Sequence, residues 1–176
     1  MTQDESPRVT SLALGAVALF ALVCLACHLA WGWVPLLDSA NLALHEAGHP
    51  LVGILSSRLA VYGGTIFQLA FPLVFALDFR RRGHAAGFAA CGVWLGENLL
   101  NVARYMADAR AGALPLVGGG DHDWLEIFTR WRLLPRDTAV ANFTRVLAVA
   151  LIVASLVWLW RRWREAREAD LARGIL

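Results

Sequence analysis

The sequence contains no lysine, and all 16 of its basic residues are arginine. It also has little charge of either sign, with 17% charged residues and a formal net charge of +2. So small an excess of positive charge gives no reason to expect a nucleic-acid partner. Internal repeats and low-complexity segments are absent as well, so a repeat architecture is not expected.

Apolar residues dominate what is present. Hydrophobic residues make up 58% of the 176, and the mean hydropathy is +0.53, a balance typical of membrane proteins. The first apolar run lacks the basic leader and the small-residue cleavage site of a secretory signal peptide. We therefore expect it to be retained as a membrane helix. Residues 1–176 are predicted to form a single membrane domain.

Runs of about 20 apolar residues are long enough to cross the hydrocarbon layer as helices. The sequence predicts an all-α, polytopic helix bundle with about five transmembrane helices. Their expected ranges are about 11–31, 39–57, 64–79, 85–107 and 140–160. The third is the shortest of the five.

Two segments lie outside these runs: a long loop, 108–139, and a charged C-terminal tail, 161–176. Apolar residues recur at helical spacing in the loop, which predicts one amphipathic helix lying at the membrane interface. Asp123 and Glu126 resemble a capping box at its start, and Pro135 is expected to end it. The apolar positions are Trp124, Ile127, Phe128, Trp131 and Leu134.

Arginine counts on the two sides of a five-helix protein predict its orientation. One side would carry eight arginines (Arg80, Arg81, Arg82, Arg161, Arg162, Arg164, Arg167, Arg173) and the other six (Arg8, Arg58, Arg110, Arg130, Arg132, Arg136). We therefore expect a multi-pass protein of a bacterial inner (cell) membrane with a cytoplasmic C-terminus.

The second apolar run contains the stretch NLALHEAGHPLVGIL, residues 41–55. On a helix, His45 and His49 share a face and can bind one Zn²⁺ ion, while Glu46 can accept a proton from a zinc-bound water. Three ionisable groups in an apolar span are costly, so a functional site is the expected explanation. Gly48 should let another backbone approach closely, and Pro50 is expected to kink the helix.

This motif, followed by the Gly-Gly segment VYGGTIFQLAFPL, resembles the intramembrane site-2 protease group, peptidase family M50 and its shorter M50B-like relatives. The resemblance covers residues 41 to about 75. It implies a membrane-embedded zinc metallopeptidase with ligands His45 and His49, catalytic base Glu46, and a substrate peptide bond in or beside the lipid bilayer. The family's third ligand is usually an aspartate in an Asn-Pro…Leu-Asp-Gly segment, which this sequence does not contain.

A catalytic zinc site needs a third protein ligand. We expect His122, from the segment LPLVGGGDHDW, in which the glycine run 118–120 would let the backbone turn toward the site. Asp121 is an alternative as ligand or as partner of a ligand.

Two further alternatives lie on the fourth predicted helix, where Glu97, Asn101, Arg104 and Asp108 form a polar stripe. Glu97 lies at a depth similar to that of the histidines, but it can also belong to a polar network that packs helices. Asp108 can instead pair with Arg104 one turn earlier.

Two functions remain open at this point. The first is a membrane zinc metallohydrolase that acts on a membrane-protein or peptide substrate. The alternative is a non-catalytic membrane protein with a structural or metal-handling zinc site, which would follow if all four coordination positions were filled by protein. The sequence predicts no particular oligomeric state.

Overall fold

The apolar runs fold into helices close to the positions that their lengths predict. The structure is a computed structural model that describes residues 8–117 and 121–172, and within these ranges it contains helices and no strand. The glycine run 118–120 and the last residues of the predicted tail, 173–176, lie outside the described residues. The six α-helices are α1 (Ser11–Trp31), α2 (Leu37–Leu55), α3 (Ala60–Arg81), α4 (Ala85–Ala107), α5 (Asp123–Arg130) and α6 (Asp137–Ala172).

Among the described residues, three helical segments are long and apolar enough to cross a membrane, fewer than the five that the sequence predicts. They are Ser11–Trp31, Ser57–Arg81 and Leu134–Ala172. Although α2 and α4 have 19 and 23 residues, polar residues interrupt their apolar runs. Length and composition alone therefore support membrane crossing for α1, α3 and α6.

The third helix is longer than expected. The sequence predicts a short span over 64–79, whereas α3 has 22 residues and begins at Ala60. Gly63 and Gly64 lie within the helix, where both pack against α2. Helical geometry also continues through Arg80 and Arg81.

The last predicted span and the charged tail form one continuous helix. The helix α6 runs without interruption over 36 residues, which corresponds to a length of about 54 Å at 1.5 Å per residue. The arginine- and glutamate-rich part continues the helix because these residues are good helix formers that pair one turn apart. Arg164 and Glu168, for example, form such a pair at 2.9 Å.

The helix α4 contacts α1, α3 and α6, while α2 packs mainly against α3. The predicted amphipathic helix is present as α5, and its apolar residues Trp124, Ile127 and Phe128 are buried. They pack in one cluster with Val61 of α3 and Met106 of α4. This face of α5 therefore covers the protein and is not free to enter the lipid interface.

The helix α5 ends at Arg130, before it reaches Pro135, so the predicted stop was wrong. Arg132 adopts a left-handed conformation with φ 58°. The backbone N–H of Leu133 donates to the carbonyl of Phe128 at 2.8 Å. This is the pattern of a Schellman-type helix end, which terminates a helix without proline.

Candidate metal centre

The His-Glu-x-x-His motif lies in the middle of α2, as the sequence predicts. His45 and His49 stand one turn apart on the same face, with ring centroids 4.9 Å apart. His45 is buried, and Glu46 and His49 are half-buried. The helix continues through Pro50 to Leu55.

Both imidazoles are oriented by hydrogen bonds at Nδ1. His49 Nδ1 lies 2.9 Å from the carbonyl oxygen of Ala60, and His45 Nδ1 lies 3.3 Å from Oε1 of Gln68. Since both partners are acceptors, each Nδ1 donates its proton, and each Nε2 is the ring nitrogen available to a metal ion. Such a second partner fixes both the tautomer and the ring direction of a metal-binding histidine.

The Nε2 atoms of His45 and His49 converge on one carboxylate oxygen. Oδ2 of Asp123 lies 2.9 Å from Nε2 of His45 and 3.3 Å from Nε2 of His49. The ligand atoms of the three residues all lie within 4.8 Å of one another. The structure thus assembles a His-His-Asp group from α2 and α5.

The start of α5 directs Asp123 toward the histidines. His122, not Asp123, is the N-cap residue, and its side chain accepts from the backbone N–H of Leu125. Asp123 is the first residue of the helix, and its backbone N–H donates to the hydroxyl of Tyr105 at 3.2 Å. The expectation that Asp123 caps the helix was wrong, because the cap lies one residue earlier and leaves the Asp123 carboxylate free.

The surroundings of Asp123 favour its ionised form. Burial alone would raise the pKa of its carboxyl group, but hydrogen bonds and charge from His45 and His49 outweigh burial and hold that pKa below its usual range. An ionised carboxylate is the form that binds a metal ion.

Glycines bring α3 against the motif. A Cβ atom on Gly48 would lie 2.2 Å from the carbonyl oxygen of Gly63, and one on Gly64 would lie 2.4 Å from Nε2 of His45. Neither position has room for a side chain. The glycine within the motif and the Gly-Gly segment are therefore the two sides of one helix contact.

A cavity of about 730 Å³ borders the three ligands. Glu46 and Tyr105 line it beside the ligands, and Leu42, Val61, Pro115 and Leu116 supply apolar wall. The centre is therefore accessible from one side, where a water molecule and a substrate could reach it.

His122, the predicted third ligand, does not join the described group. Its ring stacks on that of Tyr105 with centroids 4.1 Å apart, and its Nε2 lies 3.4 Å from Oδ2 of Asp108. Burial lowers the pKa of His122 and outweighs the opposing effect of the Asp108 carboxylate. Its Nδ1 is engaged in capping α5, where it accepts from the backbone N–H of Leu125 at 3.4 Å.

The other candidates are also placed elsewhere. Asp121 lines the cavity but is exposed and is not one of the three converging groups. Asp108 accepts hydrogen bonds from the backbone N–H groups of Ala113 and Leu114 at 2.9 and 3.0 Å. Its carboxylate thus holds the loop after α4, and no ion pair with Arg104 occurs among the described residues.

Glu97 lies in a separate buried group with His28 and Asp38. Its Oε2 accepts from Asn41 at 2.9 Å, and its Oε1 lies 3.3 Å from Nε2 of His28. The polar stripe on α4 is nevertheless connected to the metal centre, because the side chain of Gln68 donates to Asn101 at 3.2 Å.

The residues of the His-His-Asp group fit a catalytic zinc ion. Two imidazoles and one carboxylate are a common set of protein ligands for zinc, and the bordering cavity leaves a position for water. Sequence reasoning missed Asp123 as a member of this group, yet a signal was available. Asp123 precedes Ile127 by four residues, so it lies on the apolar face that α5 buries.

Comparisons with protein-family models, with curated proteins and with solved structures find no significant match. We therefore argue function from the geometry of this centre.

Proposed function

We propose that the protein is a membrane-embedded, zinc-dependent metallohydrolase, specifically a peptidase that cleaves peptide bonds within or next to the bilayer. The observation that carries this proposal is the convergence of His45, His49 and Asp123 beside a cavity that Glu46 also lines. The resemblance of HEAGH and the Gly-Gly segment to the site-2 protease group supports the same activity.

Membrane crossing by α2 and α4, in addition to the three more apolar helices, is part of the proposal. Their most polar residues are buried inside the bundle, including Asp38, His45 and Glu97. Large apolar side chains are exposed on α2, for example Leu55 at 83% and Ile54 at 79%. A surface of this kind suits lipid. We propose a bacterial inner-membrane location with a cytoplasmic C-terminus.

Each residue of the centre has a role in the proposed reaction. His45, His49 and Asp123 would hold Zn²⁺, which when bound lowers the pKa of a water ligand and polarises a carbonyl group. Glu46 would accept the proton of the attacking water and deliver it to the leaving amine, as general base and then general acid. Gln68 and the carbonyl of Ala60 keep the imidazoles oriented.

The cavity supports a peptide as substrate. One of its walls is the segment 114–117, which has no regular secondary structure. Another part of the wall comes from α2 and α3, through Leu42 and Val61. We propose that an extended stretch of substrate lies between these walls, because an extended backbone exposes its carbonyl groups to attack.

The proposal is tested by measuring zinc and cleavage in the same samples. The full-length protein is purified in detergent, its metal content is counted by mass spectrometry, and it is reconstituted with single-span peptides that carry a fluorophore and a quencher. We expect zinc in the wild type, and in Glu46→Gln we expect zinc at the wild-type amount with cleavage lost. A wild type without metal would refute the proposal.

The same samples separate the non-catalytic alternative, in which zinc serves structure or metal handling. In that case wild type and Glu46→Gln would carry equal zinc, and neither would cleave any of the peptides. His122→Ala serves as a matched histidine control, and we expect it to retain zinc because its ring does not join the centre.

A further inference from the structure

A second group of metal-binding side chains lies outside the cavity. It consists of His28 from α1, Asp38 from α2 and Glu97 from α4, whose ligand atoms all lie within 4.8 Å of one another. The side chain of His28 is 11% exposed, Glu97 is fully buried and Asp38 is 1% exposed. The group therefore joins three helices in the protein interior.

Each carboxylate has one oxygen occupied by a hydrogen bond. Oε2 of Glu97 accepts from Asn41 at 2.9 Å, and Oδ2 of Asp38 accepts from the backbone N–H of Val34 at 2.6 Å. Asn41 is in turn held by the indole N–H of Trp94 at 2.9 Å. These contacts resemble the outer hydrogen bonds that orient metal-binding carboxylates.

The remaining atoms are not satisfied by protein donors. Oδ1 of Asp38 is buried and has no hydrogen-bond partner, and Oε1 of Glu97 has only Nε2 of His28 at 3.3 Å. A buried polar atom without a partner is costly, and buried charges are generally paired or bind metals. Two carboxylates beside a single imidazole call for a cation that accepts three ligands at once.

We propose that His28, Asp38 and Glu97 bind a second divalent metal ion, of the class of Zn²⁺, in a buried site. One imidazole nitrogen and two carboxylate oxygens suit this class of ion. The ion neutralises the two carboxylates and satisfies Oδ1 of Asp38.

The second ion has a structural role. Asp38 precedes His45 by seven residues, so the two sites are roughly 10 Å apart along α2 at 1.5 Å per residue. Paired catalytic ions lie about 4 Å apart, which excludes a joint reaction. Because α2 packs mainly on α3, the second ion attaches α2 to α1 and strengthens the attachment to α4 that Asn41 already makes.

The test counts metal ions in the full-length wild type, expressed with added Zn²⁺ and purified in detergent. All first-row metals are measured before and after dialysis against a chelator. We expect two ions per chain, of which the ion beside the cavity is lost quickly and the enclosed ion is retained. A wild type with one ion per chain, fully removed by the chelator, would overturn the proposal.

Variants assign each ion to its site. Asp38→Asn and Glu97→Gln, which preserve side-chain shape, should each reduce the count from two to one and leave only the chelator-sensitive ion. Asp123→Ala should leave only the resistant ion. Asp78→Asn changes an exposed carboxylate that pairs with Arg82 and should keep both ions.

The outcomes also distinguish a bound metal ion from a proton that the two carboxylates share. If the wild type carries one ion that disappears in Asp123→Ala, the carboxylates of Asp38 and Glu97 share a proton and the second site does not exist. A resistant ion that persists in both Asp38→Asn and Glu97→Gln would likewise contradict the assignment. Neither result affects the zinc assigned to the His-Glu-x-x-His centre.

Discussion

Two groups of histidine and carboxylate side chains each include residues of α2. The groups differ in how accessible they are to solvent. The group of His45, His49 and Asp123 borders a cavity, with His49 and Asp123 exposed by 24% and 12% at the side chain. In the group of His28, Asp38 and Glu97, two of the three side chains are almost completely enclosed. The same ligand types thus suit a reaction at the first group and helix attachment at the second.

The groups also differ in what stands beside the ligands. Glu46 lines the cavity next to the first group, whereas Asn41 and Trp94 bond to the second. A carboxylate with access to water can transfer protons. An amide and an indole can only hold their neighbours in place.

Among the variants that test the difference between the two groups, Asp123→Ala should have the largest effect on metal content and cleavage. We expect Asp123→Ala to lose the zinc beside the cavity and all cleavage activity, because two histidines alone leave the metal with too few protein ligands. Metal content and peptide cleavage measure the result. Asp121→Ala is the matched control, since Asp121 lines the same cavity without joining the ligands, and loss of zinc in that variant would contradict the assignment.

Glu46→Gln should have the next largest effect. We expect cleavage to fall by roughly 10²–10⁴-fold, the usual contribution of a general acid or base, while zinc content stays unchanged. Activity is measured with the quenched peptides at equal zinc loading. Cleavage within a factor of a few of the wild type would show that Glu46 does not transfer the proton.

Gln68→Ala should have an intermediate effect, because Gln68 orients His45 and links it to Asn101. We expect zinc affinity at the first group to fall by about 10–100-fold, as is typical when the partner of a metal-binding histidine is removed. Competition with a chelator of known affinity measures the change. An unchanged affinity would mean that the packing of Gly64 against His45 is enough to orient the ring.

Gly48→Ala should have the smallest effect, confined to the contact between α2 and α3. The added methyl would meet the backbone of Gly63, and overpacking of this kind costs about 1–3 kcal/mol. Thermal unfolding in detergent measures it. Gly53→Ala is the control on the same helix, because its nearest contact would be an ordinary 3.5 Å, and it should be neutral or slightly stabilising.

The sequence was sufficient to predict the helices and two of the three residues that converge beside the cavity. Apolar runs located all five long helices because burial in protein and burial in lipid select the same residues. The four-residue spacing of His45 and His49 fixed their common face. Whether α2 and α4 cross the membrane could not be read from hydropathy, since their polar residues face each other inside the bundle.

The position of Asp123, the third residue of the group, depends on where α5 starts, which local sequence does not determine to a single residue. Asp123 and Glu126 fit a capping box, but His122 is the N-cap residue. The second group could not be predicted from the sequence for another reason. His28, Asp38 and Glu97 come from three helices, and only their tertiary packing brings them together.

The hydrophobic contact of α5 has a consequence for how metal enters. Trp124, Ile127 and Phe128 are between 0% and 5% exposed, and full burial of such side chains contributes about 1.5–3 kcal/mol each. This anchor keeps Asp123 in position whether or not zinc is bound. Binding of the proposed zinc ion would therefore require little ordering of the chain, and the binding energy would go into affinity instead of folding. In this respect the centre is preorganised, unlike a zinc finger, whose fold exists only with its metal.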